Sequence, residues 1–305
     1  MSPTRTDGPG RVEALLLIGH GSARYADAGR VLEAQADALR ATGRFAEIAV
    51  GFLAGTPTPA EALSALSAPT IHLVPFFMED GYFTRVALPR ALGLTSPTAG
   101  DPPAMGERQA VGSRSGADEP PGVNGPTLLP PPLRGRAGEG GLAARTNDHQ
   151  PPATTGAGGS GPHLIPHPPI GIHPDFPALL ATRIRAAAPT HAILLLAHGS
   201  ARAPGRLMAA HRHAAALRAD FPIVENAFLE EPPFVPDALA RIGDRPTAVL
   251  GLFVNHGTHA RDDMPALLQA ARAGRATPLL DLGIIGDEPG IRALILDLVD
   301  RPPDA

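Results

Sequence analysis

The chain has 305 residues, 43% hydrophobic and 18% charged, with a net charge of −4 and no cysteine. This length suffices for two domains of about 100–150 residues each, and the acidic balance gives no basic face for nucleic acid. Without cysteine there are no disulfides, thiolate metal sites, iron–sulfur clusters or Cys nucleophiles, so a metal would have to be held by His and oxygen ligands. The start, MSPTRTDGPG, lacks the apolar run of a signal peptide, and no apolar stretch approaches the ~20 residues that span a bilayer. A soluble, cytoplasmic protein without membrane or nucleic-acid partners is expected.

The apolar run Ala14–Ile18 stops at Gly19 and reads as a strand buried on both faces. Asp27 to Thr42 is helix-favouring, with Val31, Leu32 and Leu39 apolar and Gly43 near its end. Glu47–Leu53 reads as the second strand. Thr58, Pro59 and Glu61 mark the start of the next helix as N-cap, N1 and N3. Ile71–Val74 reads as the third strand, and Val86–Leu92 as a short helix interrupted by Pro89. Alternation of this kind predicts right-handed crossovers and a parallel sheet, with ligands bound beyond the carboxyl ends of the strands.

The second half repeats the first. Leu15–Arg24, ending His20-Gly21-Ser22-Ala23-Arg24, aligns with Ile193–Arg202, ending His198-Gly199-Ser200-Ala201-Arg202, at an offset of 178. Gly51-Phe52-Leu53-Ala54 aligns with Ala227-Phe228-Leu229-Glu230, and Phe77–Phe83 with Phe253–His259, both at 176. A near-constant offset over separate motifs indicates duplication. Ile170-Gly171 then matches Ile285-Gly286 at 115, so the first unit carries about 61 extra residues. Residues 101–160 hold 10 Pro, 12 Gly and no aromatic residue, above the ~25–30% Pro plus Gly of low-complexity segments. The expected architecture is therefore α/β. A first lobe comprises residues 12–95 plus 163–188, a low-complexity disordered insertion residues 96–162, and a second lobe residues 189–300. Each lobe is a small parallel sheet flanked by helices.

The chemistry-bearing residues sit just past the strands. His198 follows Ala192–Ala197 and precedes Gly199-Ser200; His20 repeats the arrangement. One such loop is usually an ordinary helix entry, but the same string at two strand ends favours function. Glu230 ends Asn226–Leu229, beside Glu231, where a solvated loop carboxylate is the alternative. His259 lies beyond the apolar Val249–Val254, expected to be a strand; Arg261, Asp262 and Asp263 follow. Two imidazoles and a carboxylate suit a first-row divalent ion and can also act as bases. The first unit has Ala54 and Phe83 in place of Glu230 and His259, so it is expected to form a wall, with Tyr82 and Phe83 as a stackable surface and Phe76, Phe77 and Met78 in the core. His149, His163, His167 and His173 lack regular ligand spacing.

This pattern resembles the CbiX-type chelatases, which include sirohydrochlorin ferrochelatases and cobaltochelatases of the class II chelatase superfamily. It is carried by Leu196–Ser200, Ala227–Glu230, Leu252–His259 and Met264-Pro265, and by Ile18–Ser22, Val50–Leu53 and Val74–Phe77 ahead of Gly81. The resemblance implies a two-lobed fold and a lyase-type metal chelatase that inserts Co²⁺ or Fe²⁺ into a sirohydrochlorin-type tetrapyrrole without ATP, in cobalamin or sirohaem biosynthesis. It implies that His198, Glu230 and His259 bind the metal and accept pyrrole protons. His20, Ser22, Arg24, Arg85, Ser200, Arg202 and Arg261 are candidate contacts to the carboxylate-rich macrocycle. No organic cofactor is expected, and fusion of two units is compatible with a monomer, since it can replace a dimer of single units. The first unit departs from the pattern. A histidine phosphatase would need Arg before the loop His, where Gly19 and Ala197 stand, and no Gly-x-Ser-x-Gly elbow occurs. A protein that carries Co²⁺ or Ni²⁺ without inserting it remains the alternative.

Overall fold

The computed structural model describes residues 12–22, 25, 27–94, 161–201 and 208–301. The expected insertion, apart from residues 161 and 162, lies outside these residues, as do His149, Arg24 and Arg202. The first sheet contains β1 (Glu13–Gly21), β2 (Glu47–Ala54), β3 (Thr70–Pro75) and β4 (His163–Pro166), all parallel in the order β2-β1-β3-β4. Its helices are α1 (Arg30–Arg40), α2 (Pro59–Ser64) and α3 (Leu88–Ala91), with α4 (Phe176–Ala187) leading to the second lobe. The second sheet repeats that order with β5 (Ala192–Ala197), β6 (Val224–Phe228), β7 (Thr247–Gly251) and β8 (Leu279–Ile284), as β6-β5-β7-β8. Its helices are α5 (Ala209–Leu217), α6 (Val235–Ile242), α7 (Met264–Ala273) and α8 (Ile291–Asp300). No helix among the described residues is long and apolar enough to cross a membrane.

The central strand explains itself. β1 is apolar on both faces, and strand alternation divides its side chains between two layers. Leu15 and Leu17 join a core continuous with the second lobe, whereas Ala14, Leu16 and Ile18 pack with Ala62, Leu73 and Leu88. α2 starts with the expected capping box: Thr58 Oγ1 accepts the Glu61 amide, and Glu61 Oε2 accepts the Thr58 amide at 2.7 Å.

Three sequence expectations need correction. Val249–Val254 is not one strand: β7 ends at Gly251, and Leu252 and Phe253 are buried beyond it. Pro89 does not interrupt a helix over Val86–Leu92. A π-helical turn, Phe83–Ala87, runs directly into α3, so the helix continues through Pro89 and the wider turn accommodates a residue that has no amide to donate. Met78 is only partly buried, against the core, although Phe76 and Phe77 are fully within it.

The lobes are joined by reciprocal polar contacts across their apolar interface. Gln35 Nε2 on α1 donates to Gly286 O at 3.0 Å and Glu288 O at 3.2 Å. Its counterpart His213 on α5 places Nε2 2.9 Å from Gly171 O, the counterpart of Gly286. Burial pushes the His213 imidazole down to about 4, so it is neutral and can donate a single N–H to this carbonyl.

Glu79, in the loop after β3, reaches across to the start of α5 and accepts the Ala209 amide at 2.8 Å. Burial outweighs this hydrogen bonding and pushes its carboxyl up to about 7. The folded state therefore holds a proton that the unfolded chain has released above 4.5. The stability contributed by protonated Glu79 is full below 4.5 and falls as pH rises to about 7. Glu79→Gln keeps an acceptor for Ala209 and is expected to flatten that fall, giving a higher melting temperature than the native chain at pH 8. A calorimetric series from pH 4.5 to 8 checks this; an unchanged slope would contradict it.

Candidate metal centre

β5 is central in its sheet, between β6 and β7, so a residue just past β5 stands between residues just past its neighbours. His198 follows β5 directly. Glu230 lies two residues past β6, and its amide donates to His198 O at 3.0 Å. His259 opens a second π-helical turn, His259–Asp263, ahead of α7. Such turns shift the side-chain register of a helix and recur at functional sites.

The structure brings the three predicted residues together. His198 Nε2 lies 2.8 Å from His259 Nε2 and 3.7 Å from Glu230 Oε1. The rings meet edge-on with centroids 4.3 Å apart, and all three side chains are about two-fifths exposed. One donor atom from each residue falls within a 4.8 Å cluster.

The far nitrogen of each imidazole is also engaged. His198 Nδ1 faces the Gly199 carbonyl at 2.9 Å, and His259 Nδ1 faces Asp263 Oδ2 at 2.7 Å. Each acceptor selects the tautomer with the proton on Nδ1, which leaves Nε2 as a lone pair. Two such lone pairs converge beside a carboxylate, and a cation between them satisfies all three. Gly199 makes the tight loop possible. Its φ is +74°, and a Cβ there would lie 2.8 Å from Glu231 Cγ and 2.9 Å from Phe228 Cβ.

In the first lobe, His20 Nδ1 faces Gly21 O at 3.1 Å, as in the second. Phe83 takes the place of His259, edge-on to His20 at 4.7 Å and stacked on Phe77 at 6.0 Å. Ala54 and Ala87 stand where Glu230 and Asp263 stand, so this lobe presents one imidazole and an aromatic wall, with Tyr82 exposed.

The candidate substrate contacts divide. Arg85 pairs with Asp80 at 2.7 Å, which raises its pKa further, but its side chain stays largely exposed. Arg261 pairs across the lobes with Asp27 and lies over the Tyr25 ring at 5.5 Å, so it braces the lobe contact beside His259. Tyr25 also donates to Asp262 Oδ2 at 2.5 Å. Ser22 Oγ accepts the Tyr25 amide at 3.2 Å, and the Ser200 amide donates to Glu231 Oε1 at 3.1 Å.

A second donor cluster, His173 with Asp175 and Asp297, is already bridged by the Arg301 guanidinium, 2.5 Å from Asp297 and 3.1 Å from Asp175. His167, half-buried, lies against the buried His72 at 2.9 Å, and His163 is exposed on β4. Sequence reasoning missed Asp263 and Glu231. The i,i+4 spacing of His259 and Asp263 was a usable signal; the burial of Glu231 had none.

The family model described as CbiX matches residues 14–120 and 192–301. A probable sirohydrochlorin cobaltochelatase of Halobacterium salinarum is 32% identical over 83 residues, which cover 27% of this chain and 28% of that protein. The match thus spans well under a third of that relative's length. Among solved structures, the CbiX described as the terminal enzyme for biosynthesis of siroheme in denitrifying bacteria aligns with a TM-score of 0.60 at 25% identity. That alignment covers 94% of this chain and 97% of that one. A multi-domain protein of Deinococcus radiodurans, described as similar to chelatases with two additional novel domains, aligns with a TM-score of 0.66 at 23% identity, covering 97% of this chain and 56% of that one.

Proposed function

Because the chain belongs to the CbiX family, we propose that it inserts a divalent metal ion, Co²⁺ or Fe²⁺, into a sirohydrochlorin-type tetrapyrrole. The observation that carries this reading is the convergence of the His198 and His259 Nε2 atoms at 2.8 Å with Glu230 Oε1 beside them. An N₂O donor set holds a first-row divalent ion while leaving positions open for incoming ligands. Insertion replaces two pyrrole protons by one M²⁺, so charge balances and two protons must leave. Glu230 and the two imidazoles are the bases at hand once the ion has passed to the ring. His20 and Phe83 form the matching surface of the first lobe, and the exposed Arg85 is available to a macrocycle carboxylate.

The relatives' descriptions name cobalt for one and siroheme for another, and ligand affinity alone does not rank the two ions against cellular supply. The test is an absorbance time course of protein with sirohydrochlorin and Co²⁺, and with Fe²⁺ under anaerobic conditions, against a protein-free control. Acceleration that is lost in His259→Ala supports the reading. Tight metal binding without acceleration by either ion would replace it with a metal-carrier function.

Asp263 fixes the His259 tautomer. Asp263→Asn is expected to weaken Co²⁺ binding by about 10–100-fold, as loss of such outer partners does. A titration of the two proteins without tetrapyrrole checks it.

A further inference from the structure

We propose that Glu231 is a positioning residue for His198; this rests on the chelatase reading above. Glu231 is only 3% exposed, unlike its neighbour Glu230. Its Oε1 accepts the Ser200 amide at 3.1 Å, and its stem packs against Gly199 so closely that no Cβ fits between them. The peptide segment clamped in this way carries the Gly199 carbonyl, and that carbonyl receives the Nδ1 proton of His198 at 2.9 Å. Glu231 therefore sets the position of the carbonyl that keeps Nε2 bare and aimed at His259.

The first lobe serves as an internal control. The corresponding position is Gly55, which has no side chain, yet the loop forms with the same backbone: φ is +72° at Gly21 and +74° at Gly199. The turn itself does not require the carboxylate. Burying a carboxylate is costly unless it is well paired, and here it occurs only in the lobe that also has Glu230, His259 and Asp263. The lobe with Gly55 has Ala54, Phe83 and Ala87 instead. Support for the histidine and the donor set itself thus occur together.

The full chain is the material for the test, with Glu231→Ala, Glu231→Gln and Glu231→Gly variants; the last reproduces the first-lobe loop and guards against a misfolded alanine variant. Co²⁺ binding without tetrapyrrole is followed by its visible absorption, and insertion is followed with Co²⁺ and sirohydrochlorin varied separately. Glu231→Ala and Glu231→Gly should weaken Co²⁺ binding by about 10–100-fold and raise KM for the metal while leaving KM for the tetrapyrrole unchanged. Glu231→Gln keeps an acceptor for the Ser200 amide and should recover most of the affinity. Native Co²⁺ affinity in folded Glu231→Gly, or a Gln variant as weak as the Ala variant, would overturn the proposal. Co²⁺ binding that depends on His198 and Glu231 without any acceleration of insertion would leave the positioning role standing and sink the chelatase reading. Binding indifferent to His198→Ala would overturn both.

Discussion

His259→Ala is expected to reduce insertion by more than about 100-fold, since loss of a ligand exceeds the 10–100-fold typical of an outer partner. The variant removes one of two converging lone pairs and leaves Asp263 without its imidazole. His198→Ala should be as severe, because His198 alone contacts both other donors. His20→Ala should be milder: its ring meets Phe83, and neither Ala54 nor Ala87 can complete a donor set. Initial rates at saturating tetrapyrrole rank the three. If His20→Ala were the most damaging, the site would belong to the first lobe.

The second large effect is expected at a residue that offers no donor. Gly286 lies so close to Val254 that an added Cβ would sit 2.3 Å from its carbonyl oxygen and 2.6 Å from its carbonyl carbon. Backbone cannot swing aside as a side-chain tip can. Gly286→Ala should therefore cost at least about 1–3 kcal/mol, the range for overpacking, and lower the melting temperature by several degrees. Val254 leads directly into the segment ending at His259, and Gly286 O anchors Gln35 of the other lobe. The same variant should thus weaken Co²⁺ binding as well as stability. Calorimetry with a metal titration tests both; a native melting temperature would show that the crossing can relax.

Much of this was legible in the sequence because the central strands are short apolar runs ending at glycine or histidine, and because duplication fixed their equivalence. The last strand of each sheet, β4 and β8, was not. β4 is four residues long with His163 exposed, and β8 carries Asp281 and Gly283 within its pattern. β7 was read too long because Leu252 to Val254 stay apolar after leaving the sheet. A π-helical turn adds one residue and shifts the register of the helix, but over five residues no period is long enough to reveal it. For the site, strand-end position exposed His198, Glu230 and His259. It could not show that Glu231 turns inward while Glu230 does not, or that Arg261 is engaged by Asp27 from 234 residues away. Those facts depend on tertiary contact alone.

The divergence of the two halves gives the proposed exchange a direction. Two equal donor sets would hold two ions per polypeptide and could load a flat ring from either side. With Ala54, Phe83 and Ala87 in one lobe and Glu230, His259 and Asp263 in the other, the proposed reading predicts one ion per chain at this locus. On that reading the ring would be served from one face only, with its other face turned to Phe83 of the first lobe. A macrocycle whose two faces differ would then have one productive orientation and one idle one.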